Sequence, residues 1–291
     1  MNLSIVITTF NSERCIEDCL DSIFNSLINC NEYEIILFDN NSTDNTVEII
    51  NEIKNPKLKL IINQSNSGYS VAVNKAVSFC NYENILLLNP DTVVLRNAIS
   101  QLLRKISTQN VGAISPKLIN KDGTFQLSSK RHFPTFWILL TYLLRLNKLF
   151  PKSKIFGQYN YTFVDENLNI DVDSVSGACM IFKKDVYELV EGFDERFFMY
   201  FEDTDFCIKL KSKGYRIIYY PEAQVIHYNN YLENYYSKNF YFYESLEKFI
   251  YKYRRKIYFS FLVYFIAKII RHLSNIKRII YFNYNYKINN G

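Results

Sequence analysis

LSIVITTFN, residues 3–11, is a short run of apolar and β-branched residues that ends in polar ones. The pattern returns three times. EIILF (34–38) leads into DNNSTDNT, LKLIIN (58–63) into QSNSGYS, and NILLLN (84–89) into PDT. Continuous apolar runs this short suit strands buried on both faces. Between them lie segments with helical spacing: SERCIEDCLDSIFNSL with Ser12 as its N-cap, TDNTVEIINEI, and YSVAVNKAVSFC. Strand alternating with helix predicts an α/β fold with a mostly parallel central sheet flanked by helices.

The second half is less regular. VGAISPKLI (111–119) and DVDSVSGACMIF (171–182) each read as a strand, as do YRIIYYP and AQVIHY. KKDVYELVEGF reads as a helix ending at Gly192, and EDTDFCIKLKSKG as one ending at a C-cap, Gly214. FPTFWILLTYLLRLNKLF (133–150) is apolar with a basic end, suited to a buried helix, a lid or a second membrane contact.

In parallel sheets, ligands bind beyond the carboxyl ends of the strands. Four polar loops should therefore converge there: Thr9–Asn11, Asp39–Asn41, Asn66–Gly68 and Asn89–Asp91. Asp39 can bond a ribose hydroxyl or a base edge, or it can close an Asx-turn or cap a helix. Asp91 follows Pro90, which stiffens the turn; it can hold a divalent metal on a diphosphate, or it can be a turn residue. Gly68 allows backbone to approach a ligand closely. Neither G-x-G-x-x-G nor G-x-x-x-x-G-K-[ST] occurs, which argues against dinucleotide and P-loop chemistry.

FEDTDF (201–206) sets Glu202, Asp203 and Asp205 in aromatic surroundings. Ionised carboxylates resist burial without partners. As a helix start the three acids suit capping and the macrodipole. A functional role needs a partner, and His227 at the end of AQVIHY is one; neutral imidazole is a good metal or phosphate ligand. His132 and His272 sit among basic residues, which suits surface roles.

The net charge of +5 hides an asymmetry. From Lys248 onward there are ten Lys and Arg and no acid, leaving 24 basic against 29 acidic residues before it, a net of −5. Phe259, Leu262, Ile266, Ile269, Leu273, Ile276 and Ile280 recur at helical spacing, with Lys268, Arg271, Asn275 and Arg278 opposite. This predicts a basic amphipathic helix lying on a membrane or packed on the body. Its uncharged run IYFSFLVYFIA (257–267) is shorter than the ~20 apolar residues that cross a bilayer. The domain expectation is a catalytic unit over 1–228 and a basic aromatic tail over 229–291. Six cysteines without a C-x-x-C pair suit reduced core thiols, and MNLSIVITTF has no secretory signal. Both point to the cytoplasm.

Taken in order, SIVITTFN, ILFDNNSTDNT, NSGYSVAVNKAV, LLLNPDT, the run SGACMIF through FEDTDFCIKLKSKGY, and VIHY resemble glycosyltransferase family 2 over roughly residues 3–228. NPD, FQLSSKRHFPT and FFMYFEDTDF are similar to its rhamnosyltransferase-like branch. The resemblance implies a Rossmann-like glycosyltransferase A-type fold and an inverting transfer of rhamnose or a related hexose. The donor it implies is a dTDP- or UDP-linked sugar. The acceptor it implies is a glycan or lipid-linked oligosaccharide in cell-surface polysaccharide synthesis, and the basic tail adds the expectation of the inner membrane face. It implies nucleotide contacts from Thr9, Asn11, Asp39, Gly68 and Asn89, and Mg²⁺ or Mn²⁺ on Asp91 with His227 at the diphosphate or the metal. It also makes Asp203 the base and Glu202 the residue that positions the acceptor. The family's usual metal motif is Asp-x-Asp; Asn89 replaces its first acid, so one carboxylate is lost. A processive synthase is argued against, because spanning helices and Q-x-x-R-W are missing. TTFNSER is not the Gly-rich basic loop of a nucleotidyltransferase. The competing expectation is a non-catalytic protein that binds sugar nucleotide or nucleic acid; for the enzyme reading no nucleic acid partner is expected.

Overall fold

The computed structural model describes residues 2–27, 32–228 and 235–254, together with 268 and 272. The amphipathic stretch expected over 259–280 and Cys30 therefore lie outside the described residues, apart from those two positions.

The first half folds as its alternation predicts. Strand β1 (Leu3–Thr9) is followed by helix α1 (Ile16–Ser26), β2 (Tyr33–Asp39), α2 (Thr46–Glu52), β3 (Leu58–Ile62), α3 (Tyr69–Ser78) and β4 (Asn84–Leu88). The four strands pair in parallel in the order β3-β2-β1-β4. Ile5, Ile7, Leu37, Leu86 and Leu88 pack on one side of the sheet. Val6, Ile36, Phe38, Ile85 and Leu87 pack on the other, as period-two side chains on a doubly covered sheet must. Ser12 is not the N-cap of α1, which starts at Ile16. Its hydroxyl accepts the Phe10 N–H, so it organises the loop instead.

The second half adds β5 (Thr92–Val94), α4 (Ala98–Ile106), β6 (Val111–Ile119), β7 (Lys130–Arg131), α5 (Phe136–Leu143), α6 (Leu146–Leu149), β8 (Ile170–Asp171) and β9 (Ser174–Val175). Then come β10 (Cys179–Lys183), α7 (Lys184–Leu189), α8 (Glu202–Ser212), β11 (Arg216–His227) and α9 (Tyr235–Tyr253). The sheet continues β4-β10-β6-β11-β5, with β10 antiparallel to both of its neighbours. It is therefore mixed at this end.

The irregular segments explain three departures from expectation. Residues 171–182 form parts of three strands: the chain breaks after Asp171 and turns again at Gly177, whose N–H is taken by Asp203. Tyr215–Tyr228 holds one strand where two were expected. Pro221 has no N–H to donate, and the pairing with β6 skips from Tyr220 to Gln224 in a bulge there. The apolar run after Thr135 breaks into two helices at Arg145, which takes a left-handed conformation (φ 58°).

Helix α9 packs on the body. Leu246, Phe249 and Ile250 form a buried cluster with Leu139, Phe197 and Phe201. The fully buried Asp205 accepts from the Tyr253 hydroxyl at 2.7 Å and pairs with Lys252, which also pairs with Asp194 at 2.7 Å. Asp205 was readable as a macrodipole residue, but its work is to tie α9 to α8. Lys252→Met would leave Asp205 buried without its main counter-charge. We expect destabilisation of about 3 kcal/mol, seen as a melting temperature lower by several degrees. Adding Asp205→Asn should return part of that loss, as a double-mutant cycle would show.

Candidate active site

A cavity of about 340 Å³ opens at the carboxyl edge of the sheet. Thr9 reaches it from β1, Gly68 from the start of α3, and Asn89 and Asp91 from the turn after β4. Glu202 and Asp203 reach it from the start of α8, and His227 from the end of β11. Residues far apart in sequence thus share one wall system. Asn11 and Asp39 do not line it. Asp39 is fully buried. Its Oδ1 accepts from Thr9 Oγ1 at 2.8 Å and Ser42 Oγ at 2.5 Å, and its Oδ2 accepts from Ser42 N–H at 2.8 Å. The carboxylate closes the turn after β2. Asn11 is exposed at φ 52°, and its side chain accepts the Thr43 N–H at 2.8 Å, joining the first and second loops. For Asp39 the turn role stated as its alternative is the one seen; Asn11, expected as a nucleotide contact, here joins two loops.

At the sheet edge, topology builds a two-residue donor set. Strand β11 returns antiparallel to β5, setting His227 opposite Thr92, and the Tyr228 N–H bonds the Asp91 carbonyl at 2.9 Å. Asp91 is 2% exposed, and neither carboxylate oxygen has a hydrogen-bond partner. An ionised carboxylate so buried needs compensation. His227 Nε2 lies 3.2 Å from Asp91 Oδ1. Gln126 fixes the tautomer: its Nε2 donates to the His227 carbonyl at 2.6 Å, which turns its Oε1 toward His227 Nδ1 at 2.9 Å. Nδ1–H therefore donates, and Nε2 is turned toward the carboxylate. Oxygen and imidazole donors with nothing between them fit a divalent cation. Among the described residues no three His, Cys, Asp or Glu side chains converge on such a site. Asn89 contributes little: its Oδ1 accepts the Tyr69 hydroxyl at 3.2 Å.

The acid pair is held differently. Phe201, the N-cap of α8, sits at φ 68° and Tyr200 at φ 71°, and no side chain caps the helix. Two aromatic residues in the left-handed region are strained, and such strain marks a turn that the surroundings hold in place. The turn aims Glu202 and Asp203 into the cavity instead of along the helix axis. Asp203 Oδ2 accepts from Arg131 Nη2 at 2.6 Å and Gly177 N–H at 3.0 Å, and Oδ1 accepts from Thr204 N–H at 2.6 Å. Only the Thr204 hydroxyl contact, 3.3 Å from Oδ1, is long. Arg131, largely but not fully covered, supplies the counter-charge. Glu202 is 5% exposed, and its Oε2 has no partner. Burial first, then the charge of Asp203, push its carboxyl from the ordinary 4.5 up to about 8. At neutral pH Glu202 holds a proton that it can offer to a ligand oxygen.

That shift has a sign for stability. The folded state binds a proton that the unfolded state has lost between pH 4.5 and about 8. The contribution is complete below the lower value and disappears as pH rises through the upper one. Between pH 5 and pH 8 the melting temperature of the natural protein should fall further than that of Glu202→Gln, by on the order of 5 °C. Equal pH profiles would contradict the burial argument.

The loop before α8 is held from outside. The Tyr69 N–H donates to the Phe198 carbonyl at 2.7 Å, Ser245 of α9 donates to the Met199 carbonyl at 2.7 Å, and the Phe198 ring stacks on Tyr241 at 4.9 Å. Gly68 is needed for this contact, being at φ 87° with Phe198 2.7 Å from where a Cβ would stand. The close approach expected at Gly68 is thus to the chain itself, beside the cavity. Arg131, Tyr69 and Tyr200 also line the cavity and were not singled out from sequence. Arg131 carried a signal, as one of two adjacent cations in KRH before an apolar run, but nothing local pairs it with a carboxylate 72 residues away.

A family model described as glycosyl transferase family 2 matches residues 4–190, and one described as the N-terminal domain of galactosyltransferase matches residues 160–233. An N-acetylglucosaminyl-diphospho-decaprenol L-rhamnosyltransferase of Mycobacterium tuberculosis is 27% identical over 243 residues, 77% of this chain and 75% of that protein. Rhamnosyltransferase WbbL of Escherichia coli is 29% identical over 148 residues, 50% of this chain and 52% of its own. Mannosyltransferase PcManGT from Pyrobaculum calidifontis, solved with GDP-Man and Mn²⁺, superposes with a TM-score of 0.62 at 17% identity, over 94% of this chain and 70% of that one. S. aureus TarS 1–349 superposes at 0.54 with 20% identity, over 82% of this chain and 64% of that one. At these identities the superpositions speak for the fold.

Proposed function

Because the chain belongs to glycosyltransferase family 2 and is a hexosyltransferase, we propose that it moves rhamnose or a related hexose from a dTDP- or UDP-linked donor onto a hydroxyl of a lipid-linked glycan, with inversion. The relatives named as rhamnosyltransferases motivate the sugar, and the one acting on a diphospho-decaprenol motivates the acceptor. The single observation that carries the reading is the meeting of two sets in one cavity. The orphaned Asp91 beside His227 stands at the sheet edge, and the Glu202–Asp203 pair stands at the start of α8.

The division of labour follows from the chemistry. Asp91 and His227 would hold Mg²⁺ or Mn²⁺, whose charge would stabilise the departing diphosphate. The Thr9 hydroxyl, turned to Asp39, and the rigid Gly68 backbone shape the nucleotide side. The protonated Glu202 donates a hydrogen bond to a sugar or acceptor oxygen and orients it. Asp203 takes the proton of the attacking hydroxyl at Oδ1, where only the long Thr204 contact must be displaced. Attack from the side opposite the leaving diphosphate inverts the anomeric centre, the geometry shared with inverting hydrolases. Among the described residues no helix is long and apolar enough to cross a membrane. A lipid-linked acceptor would have the enzyme work peripherally at the inner membrane face.

The test is slow hydrolysis of a panel of sugar nucleotides with and without Mn²⁺. One donor should be consumed faster than the rest, and faster with metal. If no donor is consumed while one still raises the melting temperature, the protein is a non-catalytic sugar-nucleotide binder. If only single-stranded RNA stabilises it, the enzyme reading fails.

A further inference from the structure

Helices α5 and α6 and the loop after them expose what a soluble surface ordinarily hides. Trp137, Leu144, Leu149, Phe150 and Ile155 are 45% to 69% exposed. Two of them are joined in space: the Trp137 and Phe150 rings both contact Phe156, with centroids 6.3 Å and 5.5 Å away. Exposed large apolar side chains that gather in one place mark an interaction surface. Exposed Arg145, Lys148, Lys152 and Lys154 are interleaved with it, and no Asp or Glu occurs between Asp122 and Asp165. The body outside this stretch is acidic on balance, so the positive charge is local. The opposite face of α5 points inward, where Leu139 packs with Phe197 and Phe201 just before the acid pair.

We infer that this α5–α6 face docks on an anionic phospholipid bilayer, with Trp137, Leu149, Phe150 and Ile155 entering the headgroup boundary and the four cations meeting lipid phosphates. Apolar anchors ringed by Lys and Arg are the composition that interfacial binding requires, and each cation near an anionic surface adds to it. The face adjoins the wall that carries Asp203, which sets the cavity beside the surface where a lipid-linked acceptor would lie. The inference rests on that acceptor reading for its purpose, yet its test uses no sugar donor or acceptor.

Trp137 is the single tryptophan of the chain, so its fluorescence reports this face alone. The full chain is titrated with vesicles of phosphatidylglycerol mixed with phosphatidylcholine, and with vesicles of phosphatidylcholine only. Expected are a blue-shifted emission and reduced acrylamide quenching with the anionic vesicles, weakened by high salt, and little change with the neutral ones. Lys148→Glu with Lys152→Glu should raise the half-saturating lipid concentration about 10-fold or more. Leu149→Glu with Phe150→Glu should remove the blue shift. These side chains are exposed, so the variants should fold, and donor hydrolysis should be unchanged in both. Sedimentation with vesicles without a change in Trp137 emission would overturn the inference and assign binding to another part of the chain, such as 255–291. So would a failure to sediment, or an equal emission shift with single-stranded RNA. Loss of donor hydrolysis in the natural protein would instead sink the enzyme reading and leave the vesicle result standing.

Discussion

Asp203→Asn is expected to lower kcat by about 10²–10⁴-fold, the contribution of a positioned base. The amide keeps the shape of the carboxylate and can still accept from Arg131 and Gly177, but it cannot take a proton from the acceptor hydroxyl. Donor binding should change little, because the nucleotide side of the cavity is built from other elements. The ion pair with Arg131 is lost as well, leaving a buried guanidinium with weaker compensation. A drop in melting temperature is therefore expected, and kcat must be measured below it. Arg131→Lys separates the two effects, since it keeps a charge but loses the planar fork. It should cost less activity than Asp203→Asn. A variant Asp203→Asn that turns over at the natural rate would remove Asp203 from the chemistry and leave Glu202 as the acid of interest.

Asp91→Asn should lower kcat by about 10²–10³-fold and abolish the stabilisation that Mn²⁺ gives in the presence of nucleotide. With Asn already at position 89, Asp91 would be the one carboxylate that this turn offers a metal. The same change should raise the melting temperature of the metal-free protein. Two buried oxygens without partners are replaced by an uncharged amide, which removes a desolvation penalty. Opposite movements of stability and activity would distinguish a functional carboxylate from a structural one. If chelation leaves the natural enzyme fully active and Asp91→Asn merely destabilises it, Asp91 has a structural role and the metal assignment is wrong.

Legibility varied along the chain for physical reasons. The first four strands could be read because each is buried on both faces, and that burial requires an uninterrupted apolar run. Their loops could be placed at one edge because parallel pairing leaves no other arrangement. Beyond residue 89 the pattern weakened where local conformation answers to distant partners. The turn at Gly177 gives its N–H to Asp203, 26 residues away, and β11 bulges at Pro221 while staying one strand. Asp39 shows the opposite difficulty: an acid at a strand end suits a ligand as well as a turn, and only the structure shows its three hydrogen bonds within the turn.

From sequence alone came the alternating architecture, the edge where polar loops gather, and the acids at strand and helix ends, because periodicity and residue chemistry are local properties. The tertiary structure decided which of those acids meet, which are already satisfied, and which are left needing a partner. It set His227 against Asp91 and Arg131 against Asp203, and it turned Asp205 away to hold α9. Compensation of a buried charge depends on distance through space, and no spacing along the chain encodes it.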